Sequence, residues 1–101
     1  MPHLLCFEFP SDGPFGPEAT PVYSELAGDI AHEDGLIWKV WTEDAERARA
    51  GGVYLFADEE KAARYVEKHS TRLGTFGITD IEVRSIGVQG DLSSITHATL
   101  A

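Results

Sequence analysis

Apolar and polar residues fall into short blocks along the chain, each ending at a cluster of turn formers. Residues 3–9 (HLLCFEF) are an aromatic-rich run that stops at Pro10, Ser11, Asp12, Gly13 and Pro14, which predicts a strand closed by a turn. The GPFGP segment at 13–17 is too proline-rich for a regular element and reads as a turn. Thr20 and Pro21 then fit a helix N-cap followed by proline in the first position. Val22, Leu26 and Ile30 recur at i, i+4 and i+8, so a helix with one apolar stripe is expected, stopping near residue 33 ahead of Asp34-Gly35.

Residues 36–43 (LIWKVWTE) carry the strongest strand pattern. Strict alternation places Leu36, Trp38, Val40 and Thr42 on one face and Ile37, Lys39, Trp41 and Glu43 on the other. A tryptophan on each face implies cover on each face. The polar stretch 44–51 (DAERARAG) reads as a hairpin connection, and 52–57 (GVYLFA) as a third strand. Asp58 is placed to cap a second helix, with Glu59 and Glu60 in its first turn and Lys68, His69 and Arg72 towards its far end, each sign matching the helix dipole. Its inner stripe is Ala62, Tyr65 or Val66, His69 and Leu73, and Gly74 and Gly77 end it. Residues 80–88 (DIEVRSIGV) form a fourth strand, and the remaining DLSSITHATLA is apolar-spaced without an assigned form. The order β-α-β-β-α-β predicts one α+β domain over residues 1–101, a ferredoxin-like protomer with a four-stranded antiparallel sheet and both helices on one face.

That architecture leaves the other sheet face bare, with a tryptophan and several aliphatic side chains in water. Such a patch exceeds what monomers usually expose. A homodimer joined sheet to sheet is therefore expected. The 101 residues also support only a modest private core, which points the same way.

Charge narrows the partners. Eight Lys and Arg face 17 Asp and Glu, a formal charge of -9, so the basic footprint of a nucleic-acid binder is missing and an anionic membrane surface is disfavoured. No run approaches a membrane helix, and the first residues lack a signal-peptide pattern. The single cysteine, Cys6, can form neither an internal disulfide nor a thiolate zinc site and reads as a small core residue. A cytoplasmic location is expected.

Chemical motifs are sparse. There is no GxGxxG, P-loop, GxSxG or HExxH. His32, Glu33 and Asp34 are consecutive, so on a helix they diverge by about 100° each and cannot share a metal; a solvated helix end is the reading. No metal site and no cofactor are expected. His69 shares its stripe with Tyr65 and Leu73, which turns it towards the sheet, either as a hydrogen-bonded core histidine or as a proton donor and acceptor in a pocket. Tyr23, Trp38, Trp41, Tyr54 and Tyr65 offer polar-tipped aromatic surface suited to a flat organic ligand.

The blocks LLCFEFPSDGPFG, GLIWKVWTED and AGGVYLFADEEKAARYVEKHSTRLGTFGI resemble, in succession, the YdhR-like monooxygenase family, and the likeness runs from about Leu4 into the tail. The resemblance implies a dimeric α+β barrel, two ferredoxin-like protomers paired through their sheets. It further implies a relation to cofactor-independent monooxygenases of aromatic quinols, with a ligand pocket between sheet and helices. On that expectation His69 is the candidate acid/base, Trp38 and Tyr65 line the pocket, and Trp41 and Tyr23 stand beside it. Haem-degrading relatives pair an Asn on strand 1 and a Trp on strand 3 with a His on helix 2; here strand 1 has no Asn, and strand 3 offers Tyr54 and Phe56. The rival reading is a non-enzymatic homodimer that binds a small aromatic ligand.

Overall fold

Antiparallel pairing and two amphipathic helices account for the architecture. The computed structural model describes every residue from Met1 to Ala101. β1 (His3–Pro10) leads through a 3-10 turn at Gly16–Glu18 into α1 (Ala19–Ala31); β2 (Leu36–Asp44), β3 (Arg49–Phe56), α2 (Glu59–Thr75), β4 (Glu82–Gly87) and α3 (Gly90–Ile95) follow. The strands form one sheet in the order β2-β3-β1-β4 with every neighbour antiparallel. This is the expected ferredoxin-like order with a short third helix in the former unassigned tail.

α2 forms where the sequence predicts it. The Asp58 carboxylate accepts from the Lys61 backbone N–H at 2.8 Å, and Ala62, Tyr65, His69 and Leu73 are the buried stripe. α1 departs from expectation at its start. It begins at Ala19 with Glu18 as N-cap instead of Thr20, because the 3-10 turn already sets a helical backbone. Val22 is 58% exposed, so the inward stripe of α1 is Tyr23, Leu26 and Ile30.

The core joins Leu5 and Phe7 of β1, Tyr54 and Phe56 of β3, Ile30 of α1, and Ala62, Tyr65 and Leu73 of α2. Residues paired across strands share a face. Tyr54 faces Leu5 and Lys39, and Gly52 faces Phe7 and Trp41, so Lys39 and Trp41 lie on the helix side. Trp38 pairs with Leu55 and Val40 with Val53, which puts them on the opposite side. A bulge between Leu36 and Trp38 corrects the strict alternation: Leu36 pairs with Phe56 and packs against the helix-side core, away from Trp38.

The hairpin connection is shorter than the polar stretch 44–51 suggests. Only residues 45–48 turn, and β3 begins at Arg49, so Gly51 and Gly52 are strand residues. Their lack of side chains has two separate reasons. A Cβ on Gly51 would collide with the Phe7 carbonyl oxygen, and one on Gly52 would lie 2.7 Å from Cε of Lys39. The first obstacle is backbone and the second a mobile side chain.

The face away from the helices is half covered. Leu55 there is 1% exposed, and the Trp38 indole N–H donates to the Thr99 carbonyl at 2.9 Å, tying the C-terminal residues to the β2 edge. Val40 on the same face remains 55% exposed. No helix is long and apolar enough to cross a membrane.

Gly51→Ala is expected to lower stability by about 1–3 kcal/mol, since the fixed strand pair must spread to admit the methyl group. Gly28→Ala, in α1 with nothing within 4 Å, should be neutral or stabilise by a few tenths of a kcal/mol up to about 1 kcal/mol. Urea denaturation midpoints of the two variants separate the cases.

Candidate functional site

The spacing of α2 brings titratable groups onto the sheet. Residues 65, 69 and 72 follow at helical intervals, so Tyr65 and His69 lie stacked with ring centres 5.0 Å apart, and Arg72 reaches the same place from the next turn. His69 also meets the edge of Phe7 at 5.2 Å, while Tyr54 lies 5.0 Å from Tyr65. These rings fill the space between α2 and strands β1 and β3.

Hydrogen bonding fixes the histidine. The Arg72 guanidinium donates to His69 Nδ1 from Nη2 at 2.9 Å and from Nε at 3.2 Å, and its Nη1 forms an ion pair with Asp29 at 2.8 Å. Arginine can only donate, so Nδ1 is the unprotonated nitrogen and the proton resides on Nε2. Nε2 lies 3.3 Å from the Tyr54 hydroxyl, to which it donates. Burial, then the charges of Lys39 and Arg72, pull the imidazolium down to about 3. His69 is therefore neutral and its basic nitrogen is engaged.

The tyrosines are locked in the neutral form. Burial, with a smaller contribution from Tyr65, raises the Tyr54 phenol well above its ordinary value. Burial likewise pushes Tyr65 up to about 12. Tyr54 and Arg72 lie close enough to bear on Tyr65, yet its buried hydroxyl has no hydrogen-bond partner of good geometry. It is a free donor inside the cluster.

β2 contributes a residue that sequence reasoning missed. The Lys39 stem lies over Gly52, and its amine sits 3.4 Å above the Trp41 ring centre and 4.6 Å from that of Tyr54. Burial first, and the Arg72 charge second, lower this amine from 10.5 to about 7. Tyr23 of α1 meets Trp41 at 6.2 Å from the other side. Next to them opens a cleft of about 250 Å³ between α1 and β2, whose wall includes Ala27, Ile30, Leu36, Ile37, Lys39 and Trp41. Its size suits a one- or two-ring molecule, just under the ~300 Å³ at which drug-sized pockets begin. A hollow of about 290 Å³ beside Cys6, Glu8, Glu43 and Arg49 is lined by acids, and its arginine is already paired with Glu8 and Glu82.

Of the residues singled out in the sequence, His69, Tyr65, Trp41 and Tyr23 gather on the helix side. Trp38 borders the cleft, but by register its side chain belongs to the opposite face, and its indole is committed to Thr99. The overlooked members are Lys39, Arg72 and the Tyr54 hydroxyl. One signal was available: Lys39 shares the parity of Trp41, opposite a glycine pair in the partner strand.

The model of the family described as "Putative mono-oxygenase ydhR" matches residues 4–99. The chain belongs to the ydhR mono-oxygenase family. No curated protein matches it. Among solved structures, a Nitrosomonas europaea protein of unknown function is similar with a TM-score of 0.59 at 11% identity, covering 88% of this chain and 90% of that one. A Deinococcus radiodurans structure described as a "putative antibiotic biosynthesis monooxygenase" has a TM-score of 0.54 at 14% identity, with coverages of 87% and 92%. Both likenesses concern the fold, and they agree with the ferredoxin-like order of this family member.

The low His69 value carries a pH consequence. Unfolded, the histidine binds a proton below about 6.5; folded, it does so only near 3. The unfolded state therefore holds more protons between these values, and stability falls as pH drops through that window, by up to about 1.4 kcal/mol per pH unit from this group. His69→Gln, which has no titrating ring, should flatten that part of a chemical-denaturation profile.

Proposed function

We propose that the protein is a cytoplasmic, cofactor-independent monooxygenase that oxidises a small phenol- or quinol-like aromatic with O2 in the cleft between α1 and β2, and that it works as a homodimer. Family membership supports the reaction class. The observation that carries the site assignment is the apolar cleft of about 250 Å³, which ends at polar groups of the Lys39, His69 and Tyr54 cluster.

The chemistry asks little of the protein. An electron-rich aromatic of the anthrone or quinol type, once ionised, passes one electron to O2; the radical pair combines into a carbon–oxygen bond, and the hydroperoxide loses water. For a ring CH2 the sum is CH2 + O2 → C=O + H2O, so carbon supplies all the electrons and no external reductant enters. The walls keep water away and hold the ring flat, as Trp41 and Tyr23 are placed to do. His69 acts through Tyr54: its Nε2–H donates to the tyrosine oxygen, leaving the tyrosine hydrogen available for a developing oxyanion. The unpartnered Tyr65 hydroxyl is a second such donor. Since the His69 lone pair is held by Arg72, the proton acceptor is another group.

Dimerisation rests on the sheet face away from the cleft. Val40 is exposed there, and Cys6, Val53 and Ile86 are half-buried, while Leu92 and Ile95 of α3 are 61% and 73% exposed. A second copy removes this apolar surface from water.

An oxygen electrode with a panel of anthrones and hydroquinones provides the direct test. Uptake above buffer, coupled one to one with oxidised product, is expected, and Trp41→Ala should lower kcat/KM about tenfold or more. No uptake over the whole panel removes the enzyme reading; ligand quenching of tryptophan fluorescence without turnover then makes the protein an aromatic-binding homodimer. Light scattering of dilute protein should give the mass of two chains, and a stable monomer contradicts the sheet-to-sheet pairing.

A further inference from the structure

Lys39 stands apart from the other lysines. Lys61 and Lys68 are ion-paired with Asp34 and Glu33, at 3.2 Å and 2.9 Å. Lys39 has neither an ion pair nor a hydrogen-bond acceptor, and its amine is carried on aromatic faces at the wall of the apolar cleft. In a chain with 17 carboxylates, an unpaired lysine in an apolar wall is a group kept free for something else. The opposing strand is shaped for it, because the absent side chain of Gly52 is the space its stem occupies.

We propose that the Lys39 amine is the proton acceptor of the cleft, and that the cleft selects small aromatics bearing an acidic hydroxyl and holds them as the anion. The turnover role rests on the monooxygenase reading above; the binding preference does not. The groups that face Lys39 support it from every side. α2 presents the Arg72 cation and a neutral His69; β3 presents the un-ionised Tyr54; β2 presents Trp41; α1 presents Tyr23, and its Asp29 carboxylate is taken by Arg72. No carboxylate competes for the amine, and an incoming hydroxyl is the acid it lacks.

The step balances simply. The neutral amine takes the hydroxyl proton, ArOH + RNH2 → ArO⁻ + RNH3⁺, and leaves an ion pair inside the cleft. In turnover the same proton returns to the peroxide oxygen before water departs, so the amine is regenerated. Displaced water and low polarity strengthen the pair relative to bulk solvent. A non-ionising ring such as anisole gains none of this and binds by contact alone.

4-Nitrophenol, whose phenolate is coloured and whose phenol is not, is the probe. Titrated with wild-type protein below pH 7, the probe should show more phenolate than it does free at the same pH. 4-Nitroanisole should bind about tenfold or more weakly. Lys39→Met keeps the stem and removes the amine; it should abolish the phenolate gain and weaken 4-nitrophenol to the anisole level. Gly52→Val displaces the stem while leaving the amine in the protein, and should reproduce the loss even if Lys39→Met folds poorly. Circular dichroism checks both folds. The proposal is overturned if 4-nitrophenol does not bind at millimolar concentration, binds as the neutral phenol, or keeps its phenolate band in both variants. Phenolate capture by a protein that consumes no oxygen supports this inference and removes only the monooxygenase reading.

Discussion

Arg72 governs the helix side of the sheet. Its guanidinium is always charged, and it divides its donors between one carboxylate, Asp29, and one imidazole nitrogen, His69 Nδ1. Two further bases, His69 and Lys39, sit within reach of that charge in a region already short of water. Three cations cannot coexist there with a single carboxylate, so the two groups that can shed a proton do so. The His69 tautomer, the direction of the Tyr54 hydrogen bond and the readiness of Lys39 to accept a proton all follow from that one placement. Arg72 is thus a positioning residue, with its effect felt at groups that meet the cleft.

The sheet keeps its two faces for separate purposes. One extra residue in β2 lets Leu36 and Lys39, three positions apart, both point to the helices, where strict alternation would oppose them. Gly51 allows the close approach to β1, and Gly52 leaves a groove for the lysine stem. On the other face, Trp38 is held by the C-terminal residues while Val40 stays bare. A partner on that face leaves the cleft untouched, and changes in the cleft need not pass through a subunit contact.

Much of this was legible in the chain and some of it could not be. The strand and helix periods, the Asp58 cap and the turn residues lead to the right order of elements, and the α2 stripe names Tyr65, His69 and Leu73 as inward. The start of α1 is misplaced because Thr20-Pro21 imitates a cap that a preceding 3-10 turn makes unnecessary. Leu36 is assigned to the wrong face because a bulge has no period to betray it. The role of His69 depends on Arg72 three residues away and on Asp29 from another helix, a relation that no spacing within α2 reveals. Lys39 is overlooked for a similar reason: on an alternating strand a lysine reads as the solvated member of the pattern, and only the register opposite Gly52 turns it inward.

The account depends on a lysine amine that loses its proton near neutral pH within a folded acidic protein. Selective isotope labelling of the three lysine side chains, followed by NMR across a pH series, measures this directly, with Lys39→Met assigning the resonance. The Lys39 signal is predicted to titrate with a midpoint of about 7. A midpoint at the ordinary lysine value of about 10.5 contradicts the account, because a permanently charged ammonium could not take a proton from anything in the cleft.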